Sequence, residues 1–199
     1  MTTSNISSVT IGWAAIITGA AAILAVIFLT LMFMGSGIFG SVNDVFNSLI
    51  GISSAVLAWM LFAKFQTEPQ SLGQIGLALA AVGAIFTIVG SILILFGFTG
   101  FVLAGWYTGI GNALIGLWLA IFCYAMLRGD GLPHNLVLFG LVVGLLMAFG
   151  LFGIPGIIAR IDRMESLPWV LYLAFFSYLG TYILFPIWAI MLGRNLLLK

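Results

Sequence analysis

Charged residues are scarce in this chain: its 199 residues include only six lysines and arginines and five aspartates and glutamates. Soluble domains carry about 25% charged residues, so the sequence lacks the polar surface that a water-soluble protein requires. The formal net charge of +1 also excludes the strongly basic surface of a typical nucleic-acid-binding protein. We therefore expect membrane lipids to surround most of the chain, and we expect no nucleic-acid partner.

Cysteine and histidine each occur once, as Cys123 and His134. A single cysteine cannot form a disulfide within the chain. No second histidine is present for a bis-histidine haem, and no cluster of cysteines and carboxylates has the spacing of a zinc site. The sequence therefore predicts no metal and no cofactor, with Cys123 as a packing residue and His134 as a polar residue at the membrane edge.

Long apolar runs dominate what is present, since 63% of the residues are hydrophobic and the mean hydropathy is +1.30. A helix needs roughly 20 apolar residues to cross a bilayer, and six runs are close to that length or longer. We expect an all-α, polytopic integral membrane bundle, organised as one transmembrane domain over residues 1–199. Its predicted spans are about 11–34, 49–65, 72–96, 101–127, 136–158 and 168–192.

The segment between the first two spans, Gly40–Gly51, has a different pattern. Its apolar residues fall on one helical face and its asparagines, serine and aspartate fall largely on the opposite face. This pattern predicts a short amphipathic helix that lies in the membrane interface. Two roles are open for it: a lid over a cavity, or a simple connector.

The basic residues are distributed unequally between the two predicted membrane faces. With six spans, both termini share a face with the second and fourth loops, and that face carries Lys64, Arg128, Arg194 and Lys199. The opposite face carries Arg160 and Arg163. The positive-inside rule then predicts a multi-pass protein of the cell membrane with both termini in the cytoplasm.

Glycines recur at seven-residue intervals in the third span. Glycines at this spacing stay on one helical face, and small residues allow helices in lipid to approach closely. The fifth span offers a matching pair. These residues therefore predict helix contact faces, either inside one bundle or between this chain and a partner: Gly76, Gly83, Gly90, Gly97, Gly140 and Gly144.

Polar residues inside the spans are the candidates for ligand contact. Asn112 lies among glycines in the fourth span, where an interhelical hydrogen bond is the alternative role. The last span carries hydroxyl groups near Pro186, whose missing N–H leaves a carbonyl without its helical donor. The predicted ligand-binding residues are Asn112, Ser177, Tyr178, Thr181, Tyr182 and Trp188.

None of the charged residues lies deep in a predicted span, and Asp44 and the other acidic residues fall in loops, which argues against a proton-coupled pump or an intramembrane aspartate protease. We expect a non-enzymatic protein because titratable groups for catalysis are missing. One hypothesis is an accessory or scaffold subunit, or a homo-oligomer, that acts through helix packing. The alternative is a carrier or binding component for a hydrophobic or neutral small molecule.

Two segments carry a resemblance to other proteins. "GLPHNLVLFGLVVGLLMAFGLFGIPG" and "LPWVLYLAFFSYLGTYILFPIWAIMLGRNL" resemble the C-terminal half of an uncharacterised family of bacterial multi-pass membrane proteins, defined as a domain of unknown function. The shared pattern is a Leu-Pro entry, a glycine-rich span and a final span with Pro and Trp. The resemblance implies a multi-pass membrane fold and no particular activity.

Overall fold

The computed structural model describes residues 6–35, 37–65, 70–127, 129 and 131–198. Throughout these residues the regular secondary structure is helical, and six helices are long and apolar enough to cross a membrane. Two of the residues used to predict orientation, Arg128 and Lys199, lie outside the described part. The helices are α1 Ser8–Phe33, α2 Ile38–Phe65, α3 Gln70–Leu95, α4 Phe101–Met126, α5 His134–Ile158 and α6 Trp169–Leu197.

The last two helices are irregular. Helix α5 is α-helical over His134–Ala148 and continues through a 3₁₀ turn, Phe149–Gly153, into a short α-helix, Ile154–Ile158. Helix α6 starts as a 3₁₀ helix, Trp169–Phe175, and widens into a π-helix at Gly180–Leu184. There the N–H of Phe185 donates to the carbonyl of Gly180, directly before Pro186, which has no N–H to donate.

The six helices pack in chain order and form a closed ring, because each contacts the next and α6 returns to α1. Helix α4 is the most buried of them and also contacts α2 and α6. The apolar side chains that face away from the ring remain exposed, as expected for helices that lipid surrounds.

Glycines lie where the backbones of neighbouring helices cross. A Cβ added at Gly83 in α3 would lie 2.6 Å from the carbonyl oxygen of Gly111 in α4. A Cβ added at Gly144 in α5 would contact the carbonyl oxygen of Gly116, which is also in α4. Both predicted glycine faces therefore contact α4 rather than each other. Gly76 and Gly90 also face α4, whereas Gly140 faces Trp188 of α6 and Cys123 of α4.

Gly97 does not belong to a contact face, which corrects the prediction from glycine spacing. Its φ is +70° and, within the part of the chain that the structure describes, no atom lies within 4 Å of a Cβ added there. The N–H of Gly97 donates to the Ile94 carbonyl and that of Phe98 to the Leu93 carbonyl, which is the pairing of a Schellman motif. Gly97 ends α3 because glycine adopts positive φ without the Cβ clash.

The predicted interfacial helix is also wrong as a separate element. Residues 40–51 form the first half of α2, which begins at Ile38 rather than at residue 49. The segment's polar face points into the bundle: Asn43, Asp44 and Asn47 are all buried. Helix α2 continues through Gly51. The absence of a side chain at Gly51 allows α2 to approach Ala84 of α3 closely.

Candidate functional site

A cavity of about 210 Å³ lies at the end of the bundle where α1 ends and α4 begins. The first half of α2 and the middle of α6 supply its polar side, and the start of α4 supplies much of its apolar side. Leu29 and Phe33 of α1 and Met164 of the loop after α5 complete the lining. Four helices and one loop therefore have to assemble before this space exists.

Three hydrogen bonds join α6, α2 and α1 beside the cavity. The Tyr182 hydroxyl donates to Oδ1 of Asn47 over 2.8 Å, and Nδ2 of Asn47 donates to Oδ1 of Asn43 over 3.0 Å. Nδ2 of Asn43 donates in turn to the carbonyl of Ala25 over 2.7 Å. We call this chain the polar relay. Because its members are buried, each bond is worth more than it would be in water.

Asp44 lies next to the polar relay and also lines the cavity. The residue is only 8% exposed. Its backbone carbonyl accepts a hydrogen bond of 2.6 Å from the Ser91 hydroxyl of α3, which fixes this turn of α2. Its carboxylate forms no hydrogen bond or ion pair with the described residues. Asp44 is therefore a buried acid that faces the cavity without a partner.

Aromatic rings form a continuous stack along one wall of the cavity. Trp106 stacks on Phe175 with centroids 5.9 Å apart, Phe175 stacks on Tyr178 at 5.7 Å, and Tyr178 packs on Tyr182 at 5.8 Å. The stack ends at the Tyr182 hydroxyl, where the polar relay begins. The cavity thus joins an aromatic wall to a polar end.

The rim of the cavity is held by the loop that follows α5. The Asp162 carboxylate accepts hydrogen bonds from the N–H groups of Gly100 and Leu103, at 2.6 and 3.0 Å, and so caps α4 from another part of the chain. The Trp106 indole N–H donates to the Ile161 carbonyl over 3.1 Å. Asp162 is therefore committed to the helix terminus rather than to the cavity.

The residues predicted from the sequence to bind a ligand fall into two groups. Tyr178 and Tyr182 line this cavity, whereas Asn112, Ser177, Thr181 and Trp188 do not. The Ser177 hydroxyl donates to the Ala174 carbonyl over 2.7 Å. Within the described residues, Oδ1 of Asn112, Oγ1 of Thr181 and Nε1 of Trp188 have no hydrogen-bond partner. Ligand binding by any of the six stays a prediction.

Sequence reasoning missed Asn43, Asp44 and Asn47 as lining residues. The prediction that Asp44 lies in a loop is wrong, because the residue is buried in the helix Ile38–Phe65, one of the six candidate spans. The available signal was the spacing of these three residues, which places them on one helical face. The pattern predicted that this face lies in the membrane interface, but in the structure it points into the bundle.

The donor set of the site does not favour a metal. No group of three or more histidines, cysteines and carboxylates comes together among residues whose positions are described.

No family model, curated protein or solved structure matches the chain. The resemblance of its C-terminal half to an uncharacterised bacterial membrane family therefore stays a prediction.

Proposed function

We propose that this protein is a multi-pass protein of the cell membrane that binds a small molecule in the cavity, as a binding component or carrier. The single observation that carries this proposal is the cavity itself, with buried polar side chains at one end and aromatic rings along its wall. Small-molecule sites in proteins typically combine an apolar lining with a few placed polar groups. With both termini in the cytoplasm, the cavity would open on the outer side.

The cost of the polar groups supports this function. Amides and acids inside a membrane bundle are expensive and usually mark a substrate or ion path. The polar relay uses the Asn43 and Asn47 side chains to join helices, but Asp44 serves no such purpose in the described contacts. A ligand gives that buried acid a role.

The alternative hypothesis, an accessory or scaffold subunit or a homo-oligomer, has less support. One observation behind it was the set of small-residue faces, which pack either inside one bundle or against a partner. Gly83 and Gly144 instead lie against α4 of the same chain. Association through other surfaces stays a prediction.

Gly105 offers a direct test of the cavity. It lines the space, and a Cβ added there would meet only the Tyr178 hydroxyl at 3.9 Å. Gly105→Leu should therefore fill the cavity without pressing on a neighbouring backbone. Gly109→Leu is the matched control, because Gly109 lies one turn further along α4, outside the cavity lining, with no atom within 4 Å of an added Cβ.

The measurement is binding of 2-phenylethanol, a neutral probe, to purified protein by tryptophan fluorescence and calorimetry. We expect wild type and Gly109→Leu to bind equally, and Gly105→Leu to bind at least tenfold more weakly. Native mass spectrometry of the same three preparations should show any co-purifying small molecule lost only from Gly105→Leu. Equal binding by all three proteins, or no binding by wild type to any probe, would contradict the proposed function.

A further inference from the structure

The chemistry of the cavity allows its ligand class to be narrowed, an inference that rests on the proposed function. Among the described residues that line the cavity, Asp44 is the one with an acidic side chain, and none is a lysine, arginine or histidine. A buried carboxylate without a counter-charge is strongly unfavourable. A ligand that brings a positive charge removes that penalty, whereas an anion would add to it.

The neighbouring amides cannot take the place of a counter-charge. Oδ1 of Asn47 accepts from Tyr182, and the two amide nitrogens donate to Asn43 and Ala25. Each amide nitrogen keeps a second N–H, but neither donates to Asp44 in the described contacts. The polar relay positions Asp44 beside the cavity and leaves its carboxylate open to a ligand.

The aromatic wall favours an organic cation over an inorganic one. Ring faces attract cations that lie within about 6 Å of their centroids, and the attraction is larger for desolvated organic ammonium groups. A metal ion needs several oxygen ligands, but the described lining of the cavity offers one carboxylate. The stack from Trp106 to Tyr182 instead offers an apolar surface beside the acid.

The size of the cavity fits a small amine. At the ~30 Å³ that one water molecule takes up in the liquid, its volume of about 210 Å³ holds about seven water-sized groups. We propose that the cavity binds a small alkyl- or arylammonium monocation, with the ammonium group against the Asp44 carboxylate and the apolar body along the aromatic stack from Trp106 to Tyr182. Two regions of one cavity thus recognise the two parts of the ligand.

The test compares two probes of nearly the same shape, 2-phenylethylammonium and neutral 2-phenylethanol, at constant ionic strength. Both are titrated into wild type, Asp44→Asn, Gly105→Leu and the Gly109→Leu control, with protein in detergent or nanodiscs. We expect wild type and Gly109→Leu to bind the ammonium probe at least tenfold more tightly than the alcohol. In Asp44→Asn this preference should disappear because the ammonium probe loses affinity, and Gly105→Leu should weaken both probes.

The outcomes distinguish failure of the cation inference from failure of the proposed function. If wild type binds the alcohol as well as the ammonium probe, or if Asp44→Asn keeps the preference, the cation inference is wrong and the small-molecule cavity stands. If Gly105→Leu leaves both probes unaffected, the cavity is not the site and the proposed function falls as well. Asn has the shape of Asp without its charge, so Asp44→Asn should unfold at the same or a higher temperature than wild type. A large loss of stability would reveal a structural partner for Asp44 and would overturn the inference.

Discussion

The hydroxyl of Tyr182 donates a hydrogen bond to Oδ1 of Asn47 over 2.8 Å, joining residues that lie 135 positions apart in the chain. The bond forms in the π-helical part of α6, where the helix is widened by one residue before Pro186. It links the last helix to the turn of α2 that carries Asp44. The stability of the cavity therefore depends on a contact between distant parts of the sequence.

Tyr182→Phe should destabilise the protein although the ring is kept. Removing the hydroxyl leaves a buried amide oxygen without its donor, which typically costs about 1–3 kcal/mol. The free energy of unfolding in detergent measures this loss. Tyr124→Phe is the control because Tyr124 is exposed and lies outside the cavity, so it should be neutral.

A double-mutant cycle with Asn47→Leu isolates the same bond. We expect Tyr182→Phe and Asn47→Leu together to cost clearly less than the sum of the two single changes, because both remove one interaction. Strictly additive losses would show that the hydroxyl and the amide act independently, contrary to the geometry.

Two glycines of α3 should respond differently to a single methyl group. At Gly83 the added Cβ meets the Gly111 carbonyl oxygen at 2.6 Å, whereas at Gly76 it meets the Trp118 side chain at 3.2 Å. Because backbone cannot move aside, Gly83→Ala should cost about 1–3 kcal/mol, as overpacking does. Gly76→Ala should be milder, since a side chain can shift and alanine is the better helix former.

Measurements of stability and of oligomer mass on the Gly83→Ala protein distinguish the two roles predicted for the glycine face, packing within the bundle and binding of a partner. Lower stability of the monomer is the expected result, with Ile85→Leu, at an exposed position of α3, as the neutral control. Wild-type stability combined with loss of an oligomer would assign the face to a partner instead.

Gly97 should be sensitive for a conformational reason. Its φ of +70° costs a residue with a Cβ about 1–2 kcal/mol. We expect Gly97→Ala to lower the free energy of unfolding by that amount, although the site has open space. Gly37→Ala, also in open space but without a positive φ, should change stability little. Equal effects at the two positions would argue against the left-handed turn.

Asp162→Ala should loosen the start of α4. The change removes both hydrogen bonds to the N–H groups of Gly100 and Leu103, and loss of a helix cap typically costs about 0.5–2 kcal/mol. Hydrogen exchange at those two amides should accelerate. Glu165→Ala, at an exposed position of the same loop, should leave both amides protected. Unchanged exchange in Asp162→Ala would rule out the cap.

Local composition was enough to predict the six helices, because crossing a bilayer requires only a long apolar run. The direction in which a polar helical face points was harder to predict. The face formed by Asn43, Asp44 and Asn47 has the same spacing whether it points to water or to the bundle interior. The difference depends on Tyr182 and Ala25, which come from other helices.

The glycine pattern had the same limit. Spacing places Gly83 and Gly144 on small-residue faces but contains no information about which helix each face meets. Both meet α4, whose own glycines Gly111 and Gly116 lie one on each crossing. Gly97 has the same seven-residue spacing but a different role, because it ends α3 in a conformation that favours glycine.

The crossing of Gly12 and Gly193 has a consequence for biosynthesis. A Cβ added at Gly193 would lie 2.7 Å from the Gly12 carbonyl oxygen, so α1 and α6 cross at these two glycines. Helix α6 is synthesised last, so until then α1 lacks the neighbour that its glycines contact. We expect a chain that ends before α6 to leave this glycine face of α1 uncovered and the Asn47 amide without its Tyr182 donor.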